Sequence, residues 1–255
     1  MTAAQSNVEC SRCIVPIRLR PDAQVRVVAV HFAGSAASYF HRWKPFLGTH
    51  IDLLAMQLPG REHRLCEPFS LSVPACAAAT ATALRDYADK PLVLFGHSLG
   101  ALLAYELASQ VKHLGWKVAL IVSGEEAPHL PRRRQSVKDL SEQEFRRFLQ
   151  QYNGTPPEIL ANDELYDFFL PRIRADFLLS ESYAWYDREK LGCPVVGLAG
   201  DNDPDVTIPG LESWQETTTG PFEWQLFEGD HFYINNNPGA LTEWLDRSAR
   251  ILLDL

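Results

Sequence analysis

Residues 92–115 constrain this chain more than any other stretch. A short apolar run, Leu92-Val93-Leu94-Phe95, passes directly into Gly96-His97-Ser98-Leu99-Gly100. A helix pattern follows, with Leu102, Leu103, Tyr105, Glu106 and Leu107 ahead of Gly115. A strand that turns straight into a helix bends so sharply that glycine on both flanks is needed to relieve crowding around a strained serine. The serine oxygen then projects from the C-terminal edge of a sheet, at the positive end of the helix. There the N–H of Leu99 can point at the oxyanion that forms when Ser98 attacks a carbonyl. A bare G-x-S-x-G arises often by chance and can be a plain structural turn. The strand–turn–helix context is what gives this one weight.

Around that turn, short apolar runs and helix patterns alternate. Residues 25–30 (VRVVAV), 51–56, 117–122, 194–199 and 222–227 read as further strands. Helix patterns fall over 39–46, over the alanine-rich 75–87 with Pro74 suited to the first turn, and over 240–253. Such alternation implies a mostly parallel sheet with helices on both faces. A length of 255 residues suits one large domain of that kind. Residues 1–24 show no clear periodicity and are expected to form an irregular leader, with an edge strand near Ile14 to Leu19. The segment 123–193 is far longer than a crossover helix with loops of about 2–6 residues requires. Its helix patterns at 141–152, opened by the capping box Ser141-x-x-Glu144, and at 163–180 mark it as a helical insertion over one end of the sheet. Its position downstream of Ser98 makes it a candidate lid.

A serine hydroxyl needs a base, because it is almost wholly protonated near neutral pH. Where a serine sits on such a turn, the partners follow in the order Ser, Asp, His, with the histidine after the last strand. Of the eight histidines, only His231, in Gly229-Asp230-His231-Phe232, stands there. His31, His41, His50, His63, His113 and His129 read as surface or core residues, and His97 as a packing residue beside the serine. The acid should follow the preceding strand, where Gly200-Asp201-Asn202-Asp203-Pro204-Asp205 offers three carboxylates. Asp203 is preferred, because a turn from Gly200 can swing it back over the sheet edge and Pro204 fixes the exit. Asp201 comes next and Asp205 last, turn formation and solvation being the plainer role of the remaining two. The second oxyanion donor is expected from the loop 31–35, with the N–H of Phe32 as the choice. These features together describe the α/β-hydrolase fold.

Charge and composition narrow the other classes. A formal net charge of −8 argues against nucleic acid as the main partner. The basic group Arg132, Arg133 and Arg134, followed by Lys138, Arg146 and Arg147, reads first as a solvated face. No run reaches the roughly 18 apolar residues of a membrane span. Residues 1–20 hold no apolar signal-peptide core, so a cytoplasmic protein is expected, and a monomer. Cys10 and Cys13 form a C-x-x-C with no second closely spaced pair, so neither a metal nor a redox cofactor is expected.

Beyond the Ser/His skeleton, several motifs resemble those of the type II thioesterases that accompany polyketide synthases and nonribosomal peptide synthetases. Residues 31–40 (HFAGSAASYF) are similar to that family's oxyanion loop, with Phe32-Ala33 where many members carry Ala-Gly. Leu58-Pro59-Gly60-Arg61-Glu62 resembles its motif after the second strand. Gly154-Thr155-Pro156-Pro157 and residues 170–177 (LPRIRADF) resemble its lid, and Gly229-Asp230-His231-Phe232 its histidine motif. The likeness runs from about Val25 to the C-terminal helix and leaves out the leader. It implies hydrolysis of acyl or aminoacyl thioesters from the phosphopantetheine arm of an acyl or peptidyl carrier protein, phosphopantetheine being part of the substrate. It also implies a site between lid and sheet edge, for which Tyr166, Phe168, Phe169, Phe177 and Leu178 are candidate walls. Helix packing is the plainer reading of those five. Carrier proteins are commonly acidic, so docking to this acidic chain would fall to a local patch such as Arg132, Arg133 and Arg134. A general esterase or lipase, a chain-releasing thioesterase, and an inactive hydrolase fold used as a binding module remain the alternatives.

Overall fold

Strands covered on both faces should read as unbroken apolar runs. In the computed structural model, which describes residues 13–254, the central strands do so. Among these residues seven strands form one sheet: β1 (Ile14–Arg18), β2 (Val25–Val30), β3 (Ile51–Met56), β4 (Leu92–His97), β5 (Val118–Ser123), β6 (Val195–Gly200) and β7 (Phe222–Phe227). Their order is β1-β3-β2-β4-β5-β6-β7. β1 runs antiparallel to β3 and every other pairing is parallel. β3, β4, β5 and β6 are buried at every position. β1 is the edge strand expected near Ile14 to Leu19, within the segment otherwise expected to be an irregular leader. Cys13 lies buried just ahead of it, and Cys10 falls outside the described residues.

The helices are α1 (Val73–Ala83), α2 (Leu99–Val111), α3 (Glu142–Tyr152), α4 (Pro157–Ala161), α5 (Asp163–Ser182), α6 (Ile208–Glu212) and α7 (Pro238–Leu252). Strand side chains alternate between faces. Val28, Val30, Leu94, Leu120 and Val122 meet α1 and α2 on one side. Val27, Ala29, Val93, Phe95 and Ile121 meet α7 on the other.

Two expected helices differ in form. The pattern over 39–46 becomes a 3₁₀ helix, Ala37–Trp43. Three residues per turn put Phe40 and Trp43 on one side, and Trp43 then meets Phe95 at 4.9 Å between ring centroids. The alanine-rich helix starts at Val73, with Ser72 capping Ala75 N at 3.3 Å, and tightens into a 3₁₀ turn, Leu84–Tyr87.

Between β5 and β6 lie α3, α4 and α5. α3 opens with the expected box: Ser141 N donates to Glu144 Oε2 at 2.8 Å and Glu144 N to Ser141 Oγ at 3.4 Å. These helices have an apolar core of their own, made of Val137, Phe145, Leu149, Tyr166, Ile173 and Phe177. No helix among the described residues is long and apolar enough to cross a membrane.

Candidate active site

Parallel register aligns the ends of the central strands, pairing Val30 with Gly96 and His97 with Ser123. The chain turns at Ser98 with φ 55° and ψ −122°, a strained conformation for a residue bearing a Cβ. Two hydrogen bonds hold it there: Ser98 N donates to Ser123 O and Ala101 N to Ser98 O, both at 2.8 Å. The flanking glycines answer to close backbone contact. A Cβ on Gly96 would lie 1.9 Å from Gly100 O, and one on Gly100 would lie 2.3 Å from Val30 O. The G-x-S-x-G spacing is therefore a statement about sheet and helix meeting without a gap.

The turn after β6 brings in the acid. Asp203 N donates to Gly200 O at 3.3 Å, and Asp203 Oδ1 accepts from Asp205 N at 2.9 Å. That leaves Asp203 Oδ2 facing His231 Nδ1 at 2.8 Å. Ser98, Asp203 and His231 are all buried, at 4%, 7% and 2% exposure. His231 Nε2 is buried without a hydrogen-bond partner among the described residues. With Nδ1–H given to Asp203, Nε2 carries the lone pair that can take a proton.

The other two carboxylates have different work. Asp201 Oδ1 accepts from Gly229 N at 3.0 Å and ties the two loops together. Asp205 Oδ2 accepts from the Tyr152 hydroxyl at 2.6 Å and faces Arg134 at 3.6 Å. Ligand atoms of Asp203, Asp205 and His231 lie within 4.8 Å of one another, as in a metal site. The facing carboxylate oxygens, however, are already engaged, Asp203 Oδ2 by His231 Nδ1 and Asp205 Oδ2 by Tyr152 and Arg134.

His97 lies behind the serine, its Nδ1 2.8 Å from Ser123 Oγ, which is 2.6 Å from the Tyr233 hydroxyl. Burial, reinforced by His231, drives its pKa well below the usual histidine value, so it stays neutral. His31 is also buried and neutral: burial, then the nearby Arg61 charge, pushes it down to about 3. Burial holds the Tyr152 hydroxyl well above its usual range, with Asp205 adding to the effect against the pull of Arg134. Tyr152 thus remains a hydrogen-bond donor.

Neither the N–H of Phe32 nor that of Leu99 donates to a protein acceptor among the described residues. The Phe32 ring packs edge-on against His97 and Phe232, at 5.7 Å and 5.3 Å.

Ser98 opens into a cavity of about 10 Å³ walled by Phe32, Leu149, Tyr152, Ile173, Phe177 and Phe232. That is room for about one water and no acyl group. Of the five walls expected from the sequence, only Phe177 is among them. Tyr166 is buried in the core of the helical cover, and Phe168 points outward at 61% exposure. The face of α5 turned to Ser98 carries Ile173 and Phe177, one turn apart. Beyond Tyr152 lies a wider cleft of about 360 Å³, lined by Arg133, Gln135, Asn153, Asp230 and His231.

The basic group is largely the solvated face expected, with Arg132, Arg133, Lys138 and Arg147 exposed, but two of its guanidinium groups also tie the cover down. Arg132 Nη1 donates to Ser180 Oγ at 2.9 Å, and Arg134 Nη1 to the Tyr152 hydroxyl at 3.2 Å. Arg133 is left to line the cleft. Sequence reasoning missed Tyr152 and the pair Arg61–Asp176 as parts of this site, and weighed Asp205 only as the last choice for the acid. Arg61 and Asp176 figured only inside motifs, with no signal that they meet.

The family model for the thioesterase domain matches residues 25–249. The thioesterase PikA5 of Streptomyces venezuelae is 36% identical over 239 residues, covering 92% of this chain and 85% of that one. LgrE of Brevibacillus parabrevis, named a linear gramicidin dehydrogenase, is 33% identical over 254 residues, covering 98% and 97%. Among solved structures, the type II thioesterase BorB from the borrelidin biosynthetic cluster superposes with a TM-score of 0.85 at 34% identity, covering 93% of this chain and 97% of that one.

Proposed function

Since the chain belongs to the thioesterase family, we propose that Ser98, His231 and Asp203 hydrolyse acyl or aminoacyl thioesters carried on the phosphopantetheine arm of acyl or peptidyl carrier proteins, the editing task of a type II thioesterase. In the first half-reaction Ser98 Oγ attacks the thioester carbonyl while His231 Nε2 takes its proton. The Asp203 carboxylate holds Nδ1–H and stabilises the imidazolium. The N–H groups of Phe32 and Leu99 receive the oxyanion. The carbon–sulfur bond breaks, and His231 returns the proton to the departing phosphopantetheine thiolate. In the second half, His231 draws a proton from water, the hydroxide attacks the acyl-Ser98 carbonyl, and the free acid leaves with Ser98 reprotonated.

The observation that carries this reading is the buried Asp203–His231 contact at 2.8 Å with Nε2 left unpartnered. Ser98, held in a strained turn at a helix N-terminus, follows directly on His97, whose ring lies 5.0 Å from that of His231. The helices of 123–193 act as a lid, because the cavity at Ser98 is too small for an acyl group while Leu149, Tyr152, Ile173 and Phe177 stay in place. The wider cleft beside His231 suits the polar pantetheine arm, with Arg133 at its mouth for an acidic carrier. The redox activity in one relative's name finds no counterpart in the first βα turn. There β2 opens into His31-Phe32-Ala33-Gly34-Ser35-Ala36 and not into the G-x-G-x-x-G that cradles a dinucleotide.

The test compares acid release from an acyl-phosphopantetheinyl carrier with cleavage of a free oxyester. A clear preference for the carrier is expected. Efficient cleavage of the oxyester with the carrier spared would make the protein an esterase. No labelling of Ser98 by a fluorophosphonate would leave only a binding module.

A further inference from the structure

Outside the triad, the most buried ion pair among the described residues is Arg61–Asp176, whose side chains are 1% and 3% exposed. They meet as a bidentate pair, Arg61 Nη1 to Asp176 Oδ2 and Nη2 to Oδ1, both at 2.7 Å. Two charges so deeply buried cost more in lost hydration than their attraction repays unless their other hydrogen bonds are made. Apart from Arg61 Nε, which donates to Pro59 O at 3.2 Å, the other bonds go to one place. Gly34 N donates to Asp176 Oδ2 at 2.7 Å, and Arg61 Nη1 also donates to Ser35 O at 2.9 Å. The pair therefore grips both ends of the Gly34–Ser35 peptide, two residues past the amide assigned to the oxyanion. Gln57 completes the hold: its Oε1 accepts from Ala37 N at 2.7 Å and its Nε2 donates to Arg61 O at 3.3 Å.

Asp176 sits on α5, the same helix that supplies Ile173 and Phe177 to the cavity around Ser98. α5 rests directly on the loop: a Cβ on Gly34, whose φ is +79°, would lie 3.0 Å from Ile173 Cγ1. One helix thus both walls the reacting atoms and fixes the backbone of the oxyanion loop.

We propose that Arg61 and Asp176 are positioning residues that aim the Phe32 N–H at the oxyanion, so that the hole is complete only while α5 is seated on the oxyanion loop. Lid and oxyanion hole are then one device, and an acyl group gains transition-state stabilisation only once α5 has settled over it. The inference rests on the acyl-transfer reading of Ser98 and His231 and on no particular acyl donor.

Two variants test it. Asp176→Asn keeps shape and sets an amide N–H against the guanidinium. The double variant Arg61→Met with Asp176→Leu removes both charges, a change that buried ion pairs often tolerate without loss of stability. For each, kcat and KM are measured per fluorophosphonate-titrated site, on a carrier thioester and on a free oxyester. Affinity for a short alkyl boronic acid, which forms a tetrahedral adduct with Ser98, is measured alongside. A fall in kcat of roughly 10- to 100-fold is expected, below the 10²–10³ of losing an oxyanion donor outright. KM should stay within about 3-fold and boronate affinity should weaken in step with kcat, since displaced donors affect the transition state and not the ground state. Wild-type kcat per titrated site, with only the melting temperature lowered, would overturn the proposal. So would failure of both variants to fold, since the pair would then be a tie for stability. A wild type that cleaves only the oxyester would remove the carrier substrate while leaving this comparison intact on the oxyester.

Discussion

At the sheet edge, Ser98, Asp203 and His231 are fixed through the backbone. Strand register, a turn without spare residues and the Asp203–Gly200 bond set their directions before any side chain is chosen. The helices over them are fixed the other way, by side chains that reach out from each end. On the α5 side the mooring is the buried pair Arg61–Asp176 with Gly34 and Ser35. On the α3 side it is Tyr152 to Asp205 at 2.6 Å and Asn153 Nδ2 to Asp230 Oδ2 at 2.9 Å, beside an open cleft. Charges sealed from water are costly to separate, whereas groups next to a cleft exchange one partner for water at little cost. The difference sets a rigid edge and a helix bound to it by buried charge against a helix whose ties are the less costly to break. Opening should therefore begin at α3, widening the cleft beside His231 into the cavity at Ser98.

Breaking the edge gives the largest effects. Ser98→Ala should lower kcat for acid release by roughly 10⁵-fold or more, the scale of losing a triad nucleophile. Steady-state assay at matched folded concentration checks it. Asp203→Asn should follow at about 10⁴-fold, because the amide favours the wrong histidine tautomer. Asp201→Asn and Asp205→Asn should retain far more activity, and a larger loss in either would move the third triad position.

Loosening the cover should do less to the chemistry and more to access. Tyr152→Phe deletes the bond to Asp205 at a stability cost of about 0.5–1.5 kcal/mol, more if Asp205 is left unsatisfied. A bulky fluorophosphonate should then label Ser98 a few-fold faster, with kcat for a short acyl group little changed. Slower labelling would place the moving helix elsewhere.

A further effect, on stability and not on catalysis, separates edge from cover by pH. His31 and His97 are held below the ordinary histidine value, so they stay neutral in the fold and take up protons more readily once it opens. Stability is then complete above about pH 6.5 and falls on acidification, by up to about 1.4 kcal/mol per pH unit for each histidine, the His31 share continuing to about pH 3. Both residues lie at the sheet edge, so His97→Gln should flatten urea midpoints measured between pH 4 and 7. An unchanged slope would show that this histidine does not govern acid unfolding.

The same division explains what the sequence made legible. The serine turn, the late histidine and the mostly parallel sheet are written locally, as runs, glycines and chain order, and the strands fall where the apolar runs predict. Asp203 was one of three carboxylates in five residues, and the choice depended on a turn whose geometry only the fold displays. Helix packing was the plainer reading of the five candidate walls, and only Phe177 reaches the cavity, because aromatic spacing along α5 tells which residues share a face, not which face meets Ser98. Arg61 and Asp176, 115 residues apart, leave no local trace of their meeting. Tyr152 read as the last residue of a capped helix and is also a latch.

The most direct test of the account is to mix the enzyme with a radiolabelled acyl-phosphopantetheinyl carrier, quench within one turnover, and map the label by peptide mass. The account predicts acyl on the Ser98 peptide of the wild type and free acid at later times, with neither formed by Ser98→Ala. Acid release by Ser98→Ala at a rate near wild type, or acyl on another residue, would contradict it.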